Sequence, residues 1–151
     1  MSQIIGFKYN DGGRKAAGFK GSASDCVARA ISIASGIPYK EVYDEINRRA
    51  KSERREDKSS ARTGVHNRLW RKYCEDLGMT WVPTMGIGTG CTTHVRADEL
   101  PNGRLILSVS KHVVACIDGV LHDTHNCSRA GKRCVYGYFI CHKNNFHLKP
   151  S

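Results

Sequence analysis

The chain has 151 residues, seven of them cysteine, and a formal charge of +10 from 24 Lys and Arg against 14 Asp and Glu. That length suits a single domain with its own core, and a hydrophobic fraction of 40% excludes a disordered or fibrous chain. The opening "MSQIIGFKYNDGGRK" is too poor in apolar residues for a secretory signal or a membrane span, so no membrane partner and a cytoplasmic location are expected.

Residues 1–20 alternate weakly around "NDGG", which predicts a short strand, a turn and an irregular approach. A helix is expected from about residue 25 to 35, capped by Ser24 or Asp25 and stopped by Gly36. Val27, Ala30, Ile31 and Ala34 form its apolar stripe, which Cys26 and Ile33 widen, so the helix should be largely buried. Pro38 suits the first position of a second helix, "PYKEVYDEINRRA", with Tyr39, Val42 and Ile46 inward. Residues 51–63 read as a loop or a frayed helix. A third helix, about 65–77, places Leu69, Tyr73 and Leu77 on one side.

After Gly78 the pattern changes to short β-branched and aromatic runs: "TWVPT", "RLILSVS", "HVVACI", "VLHDT" and "RCVYGYFIC". Helices first and antiparallel strands after predict an α+β domain, with N-terminal helices packed on a C-terminal antiparallel sheet. "GIGTG" at 86–90 lacks the Lys-Ser/Thr and the helix that follow a phosphate loop, so it reads as a loop near the cleft.

The cysteines are odd in number, none is spaced CxxC, and most are expected to be reduced. Cys74, Cys116 and Cys141 sit in apolar patterns, where a thiol packs as a small hydrophobe. Between Arg48 and Lys72 ten basic residues face three acidic ones. The block suits an acidic protein or a nucleic acid, or is simply a solvated helix end and loop.

"SKHVVACIDGVLHDTHN" carries the most chemistry. Asp118-Gly119 is a two-residue hairpin signal, which sets Cys116 opposite Leu121, Val114 opposite Asp123 and His112 opposite His125. Alternation then puts His112, Val114, Asp123 and His125 on one face, and His122 on the other. A histidine one diagonal step from a carboxylate is the arrangement of a general base. Cys26, at a helix N-terminus, is what such a base would activate, because free amides favour a thiolate and can bind an oxyanion. Asp25 opposes this unless it is turned away as a cap. Taken singly, Cys26 fits a buried structural thiol and His112 a hydrogen-bonded strand end. His122, His125 and Cys127 are competent zinc ligands, but their spacing matches no common zinc site, so no metal or cofactor is expected.

A cysteine opening a buried helix ("SDCVARAIS"), a histidine opening a strand and a polar residue on the next strand resemble the papain-like cysteine peptidase superfamily. The likeness is to the C39-like peptidases and the NlpC/P60 hydrolases. The longer pattern "GIPYKEVYDEI…LGMTWVPTMGIGTGC…RADELPNGRLILSVSKHVVACIDGVLHDTH" also resembles an uncharacterised family of bacterial and phage-encoded proteins, which would act in the host cytoplasm. The papain-like resemblance implies a Cys26–His112–Asp123 triad acting on an amide, isopeptide or thioester bond of a protein or peptide. It also implies a glutamine six residues before the cysteine. Lys20 stands there, and Lys20, Ser22 or Ser24 are the candidate oxyanion donors. The alternative is a catalytically silent binding or inhibitor protein on the same fold, using its basic surface.

Overall fold

The computed structural model describes residues 5–20, 24–86 and 88–142, in three helices and six strands. The strands are β1 (Gly6–Tyr9), β2 (Thr80–Pro83), β3 (Arg104–Val109), β4 (His112–Ile117), β5 (Val120–Asp123) and β6 (Val135–Cys141). They form one sheet in the order β1-β5-β4-β3-β6-β2. The α+β class holds, but the sheet is mixed. β1 joins its edge parallel to β5, Gly6 beside Val120 and Tyr9 beside Asp123, while the other pairings are antiparallel. A four-residue strand so far from its partner in sequence gives no local pairing signal.

Helix α1 (Cys26–Ser35) ends as expected at Gly36, whose left-handed φ of 82° lets its N–H reach Ser32 O. At its start Asp25 occupies the cap position but makes no side-chain cap bond. α1 is buried around most of its circumference, Val27, Ala28, Arg29, Ala30 and Ile31 included. Helix α2 (Tyr39–Ala50) packs on α1, and α3 (Asn67–Asp76) packs on α2 and β2, with Val42, Ile46, Trp70 and Tyr73 inward. Pro38 proves to be the residue before α2, and His66 the residue before α3.

Both faces of the sheet are covered, which is why β3 and β4 read as nearly continuous apolar runs. Ile106, Val113, Ala115 and Phe139 pack against the helices. Leu105, Leu107, Val114 and Cys116 pack on the other side with Val95, Leu100 and Cys127. At Gly137 a Cβ would come within 2.3 Å of the Trp81 ring, so the glycine lets Trp81 lie across β6 against Phe139.

The hairpin register is the one the sequence predicts. Cys116 pairs with Leu121 and Ile117 with Val120, around a turn whose Asp118 and Gly119 both have positive φ. The pairing stops at Ala115–His122, however. His112 and Asp123 lie past its end, where the two strands part.

The basic stretch does not stay out of the core. Ala50, Ala61, Leu69 and Trp70 within it are buried, because the third helix turns one face inward while its cations stay outside. No helix among the described residues is long and apolar enough to cross a membrane.

Candidate active site

Cys26 opens α1 and is half-buried, at one end of a cleft of about 390 Å³ that also holds Ser24, Asn67, Trp70, Lys111, His112 and Tyr136. The His112 Nε2–H donates to Asp123 Oδ2 at 2.6 Å. Nδ1 is the ring nitrogen left for Cys26, which lines the same cleft and favours the protonated imidazole. The three residues named from the sequence therefore meet in one place.

They do not meet for the reason alternation suggests. Val114 packs on the side of the sheet away from the helices, and Val113 and Ala115 pack toward them. Strict alternation would carry His112 to the far side with Val114. His112 stays paired with Val109 of β3 and Asp123 with Tyr9 of β1, but both lie beyond the β4–β5 pairing, beside the N-terminal end of α1. His125 lies beside His112, its ring centroid 5.1 Å away. His122 points elsewhere, toward Asn10 Nδ2 at 3.2 Å.

The electrostatics follow from this packing. Burial disfavours the His112 imidazolium, but the bond to Asp123, the bond to Cys26 and the charges of both outweigh it, and the pKa rises to about 9. Burial also works against the Asp123 carboxylate. His112, the Thr124 N–H at 2.7 Å and Arg29 more than compensate, and its pKa falls.

Arg29 is the participant that motif reading missed. It lies on α1, is 9% exposed, and is the sole charged residue of "CVARAISIAS". One guanidinium nitrogen donates to Asp123 Oδ1 at 3.1 Å and the other to Asp25 Oδ1. Asp25 also accepts from Tyr39 Oη at 2.5 Å and sits 3.3 Å from Arg14 Nε. The aspartate that would have repelled charge on Cys26 is thus spent on two arginines and a tyrosine. A lone arginine in an otherwise apolar helix was the available signal, since a buried cation needs carboxylate partners.

The candidate oxyanion donors separate. Lys20 lines a different depression, with Tyr9, Arg14 and Thr124, and its carbonyl accepts from Arg62 Nη2 at 2.8 Å. Ser22 lies outside the described residues, and Ser24 lines the cleft. Asn67 lines it too, as the one side-chain amide among the described lining residues. Its Oδ1 is taken by the Trp70 indole N–H at 2.9 Å, which leaves the Asn67 NH2 to donate.

His112, Asp123 and His125 present ligand atoms within 4.8 Å of one another and could hold a metal ion. His122, His125 and Cys127, the competent ligands set aside on spacing, do not gather into such a cluster.

A second, larger depression lies elsewhere. A basic groove of about 770 Å³ is lined by Arg48, Arg49, Arg54, Arg55, Arg68 and Lys72, with Glu53. Glu45 and Asp76 neutralise part of this charge through Arg48, Arg49 and Lys72. Arg54 and Arg68 have no ionic partner among the described residues. Residues 63–70 separate groove from cleft, since both are lined from that segment. Comparison with protein-family models, curated proteins and solved structures gave no match.

Proposed function

We propose that this chain is a papain-like thiol hydrolase that attacks an amide, isopeptide or thioester carbonyl through Cys26, His112 and Asp123. The observation that carries the reading is the 2.6 Å His112–Asp123 bond in the same cleft as Cys26, at the N-terminus of a buried helix. Cys26 Sγ bonds to the carbonyl carbon, and the oxyanion is met by the helix-start amides and the Asn67 NH2. His112 passes a proton to the leaving amine or thiol as the old bond breaks, leaving a thioester on Cys26. Water, deprotonated by His112, then releases the acid and restores the thiol. Asp123 holds the Nε2–H so that Nδ1 serves the sulfur, and Arg29 holds Asp123.

An activated ester tests this without a known substrate. Incubation with p-nitrophenyl acetate should release nitrophenolate and leave an acetyl group on Cys26 by peptide mapping. Cys26→Ala should abolish both. Nitrophenolate release at the same rate from Cys26→Ala would refute the reading.

The basic groove favours a second role, as the surface that holds an acidic part of a protein partner, or a nucleic acid. It is larger than the cleft and shares the 63–70 segment with it. In the alternative reading the groove is the whole function and the cleft is silent. Labelled polyglutamate should bind the chain with an affinity that falls steeply with salt, since exposed charges are screened over roughly 8 Å at physiological ionic strength. Charge reversal at Arg54, Arg55 and Arg68 should weaken binding by about tenfold or more while leaving Cys26 acylation intact. Unchanged binding in that variant would reduce the groove to a solvated face.

A further inference from the structure

The segment between β2 and β3 carries a group of ligand atoms that neither reading uses. Cys91 and Cys134 form a disulfide that no spacing motif marks, across a separation of 43 residues. It ties the glycine-rich loop to the residue just before β6. Beside it, His94 pairs with Cys134 through an isolated bridge, and its Nε2 lies 3.5 Å from Cys91 Sγ.

The ring is held from behind. His94 Nδ1 is 3.1 Å from Glu99 Oε1, which also accepts the His94 backbone N–H at 2.8 Å. The other oxygen of Glu99 lies 3.3 Å from Arg96 Nε. With Nδ1–H donated to the carboxylate, Nε2 turns its lone pair toward the sulfur. A sulfur 3.5 Å in front of an imidazole, bonded to a second sulfur, with a carboxylate behind the ring, supplies the inner and outer shells of a zinc site once the disulfide is reduced. The spacing Cys91-Thr-Thr-His94 is compatible with ligands from one short loop.

We propose that the reduced form of this pair, together with His94, binds Zn²⁺, with Glu99 orienting the imidazole and a fourth position left to water. Reduction needs a dithiol, which gives two electrons and two protons to the Cys91–Cys134 bond and is itself oxidised to a disulfide. As the ion binds, each thiol loses its proton to solvent, and two Zn–S bonds of about 2.3 Å replace the S–S bond. The sulfurs must move apart to admit the ion, and Cys91, on an exposed loop, is free to do so. The same tie between loop and β6 then exists in reducing as in oxidising surroundings. It lies two residues from Tyr136, which lines the Cys26 cleft.

The test is titration of the full chain, reduced and kept free of oxygen, with Zn²⁺ and with Co²⁺ as a coloured substitute. One ion should bind, with thiolate-to-cobalt absorption. Cys91→Ser and Cys134→Ser should each remove that absorption, and Glu99→Gln should weaken binding about 10–100-fold. Asp123→Asn should leave it unchanged, which separates this site from the His112–Asp123–His125 cluster. Absence of thiolate absorption in the reduced wild type would overturn the proposal, as would absorption that survives Cys91→Ser. Cys91 is exposed, so its replacement leaves the fold intact, and Glu99→Gln provides a second, independent reading.

Discussion

Replacing Arg29 by methionine should cost about 3–5 kcal/mol, because it leaves buried carboxylates without their shared cation. Asp25 and Asp123 are each 2% exposed, and Arg29 joins them. A loss of that size is a large part of the roughly 5–15 kcal/mol that holds a domain together. Asp25 keeps Tyr39 and Arg14, so the damage should concentrate on Asp123. Arg29→Lys should recover only part of it, since an ammonium cannot fork across two carboxylates as a guanidinium does. Urea denaturation of the three proteins checks this. Methionine at 29 with wild-type stability would mean that the bridge contributes nothing net, and that Asp123 is held by His112 and Thr124 alone.

Much of the architecture was legible because it is local. The apolar stripe of α1, the Gly36 stop and the Asp118-Gly119 turn depend on neighbours within a few residues, and each lies where the sequence predicts. The turn also set the register of β4 against β5 as far as Ala115 and His122. What was not legible depends on the end or the edge of a pairing. The parallel addition of β1, the release of His112 and Asp123 from strict alternation and the Cys91–Cys134 bond leave no periodic trace. Arg29 left a trace of a different kind, a charge where the helix pattern allows none.

The second large effect concerns the reactivity of Cys26. The other free thiols are poor competitors. Burial raises the pKa of Cys116 and Cys127 to about 11 and of Cys141 to about 12, and holds that of Cys74 well above the ordinary thiol value. Cys26 would therefore label first on exposure alone, and its rank among the five decides nothing. The informative comparison is Cys26 with and without its histidine. An imidazolium against the sulfur stabilises negative charge there, and His112 keeps its proton until the pH climbs through about 9. The acceleration must be present below that point and fade above it, where the imidazole turns neutral.

The decisive measurement is the rate of iodoacetamide alkylation at Cys26, mapped by mass spectrometry from pH 6 to 10, in the wild type and in His112→Ala. At neutral pH the wild type should react at least about tenfold faster, with the two rates converging above pH 9. Equal rates across the whole range would contradict a Cys26–His112 couple and leave Cys26 an ordinary thiol.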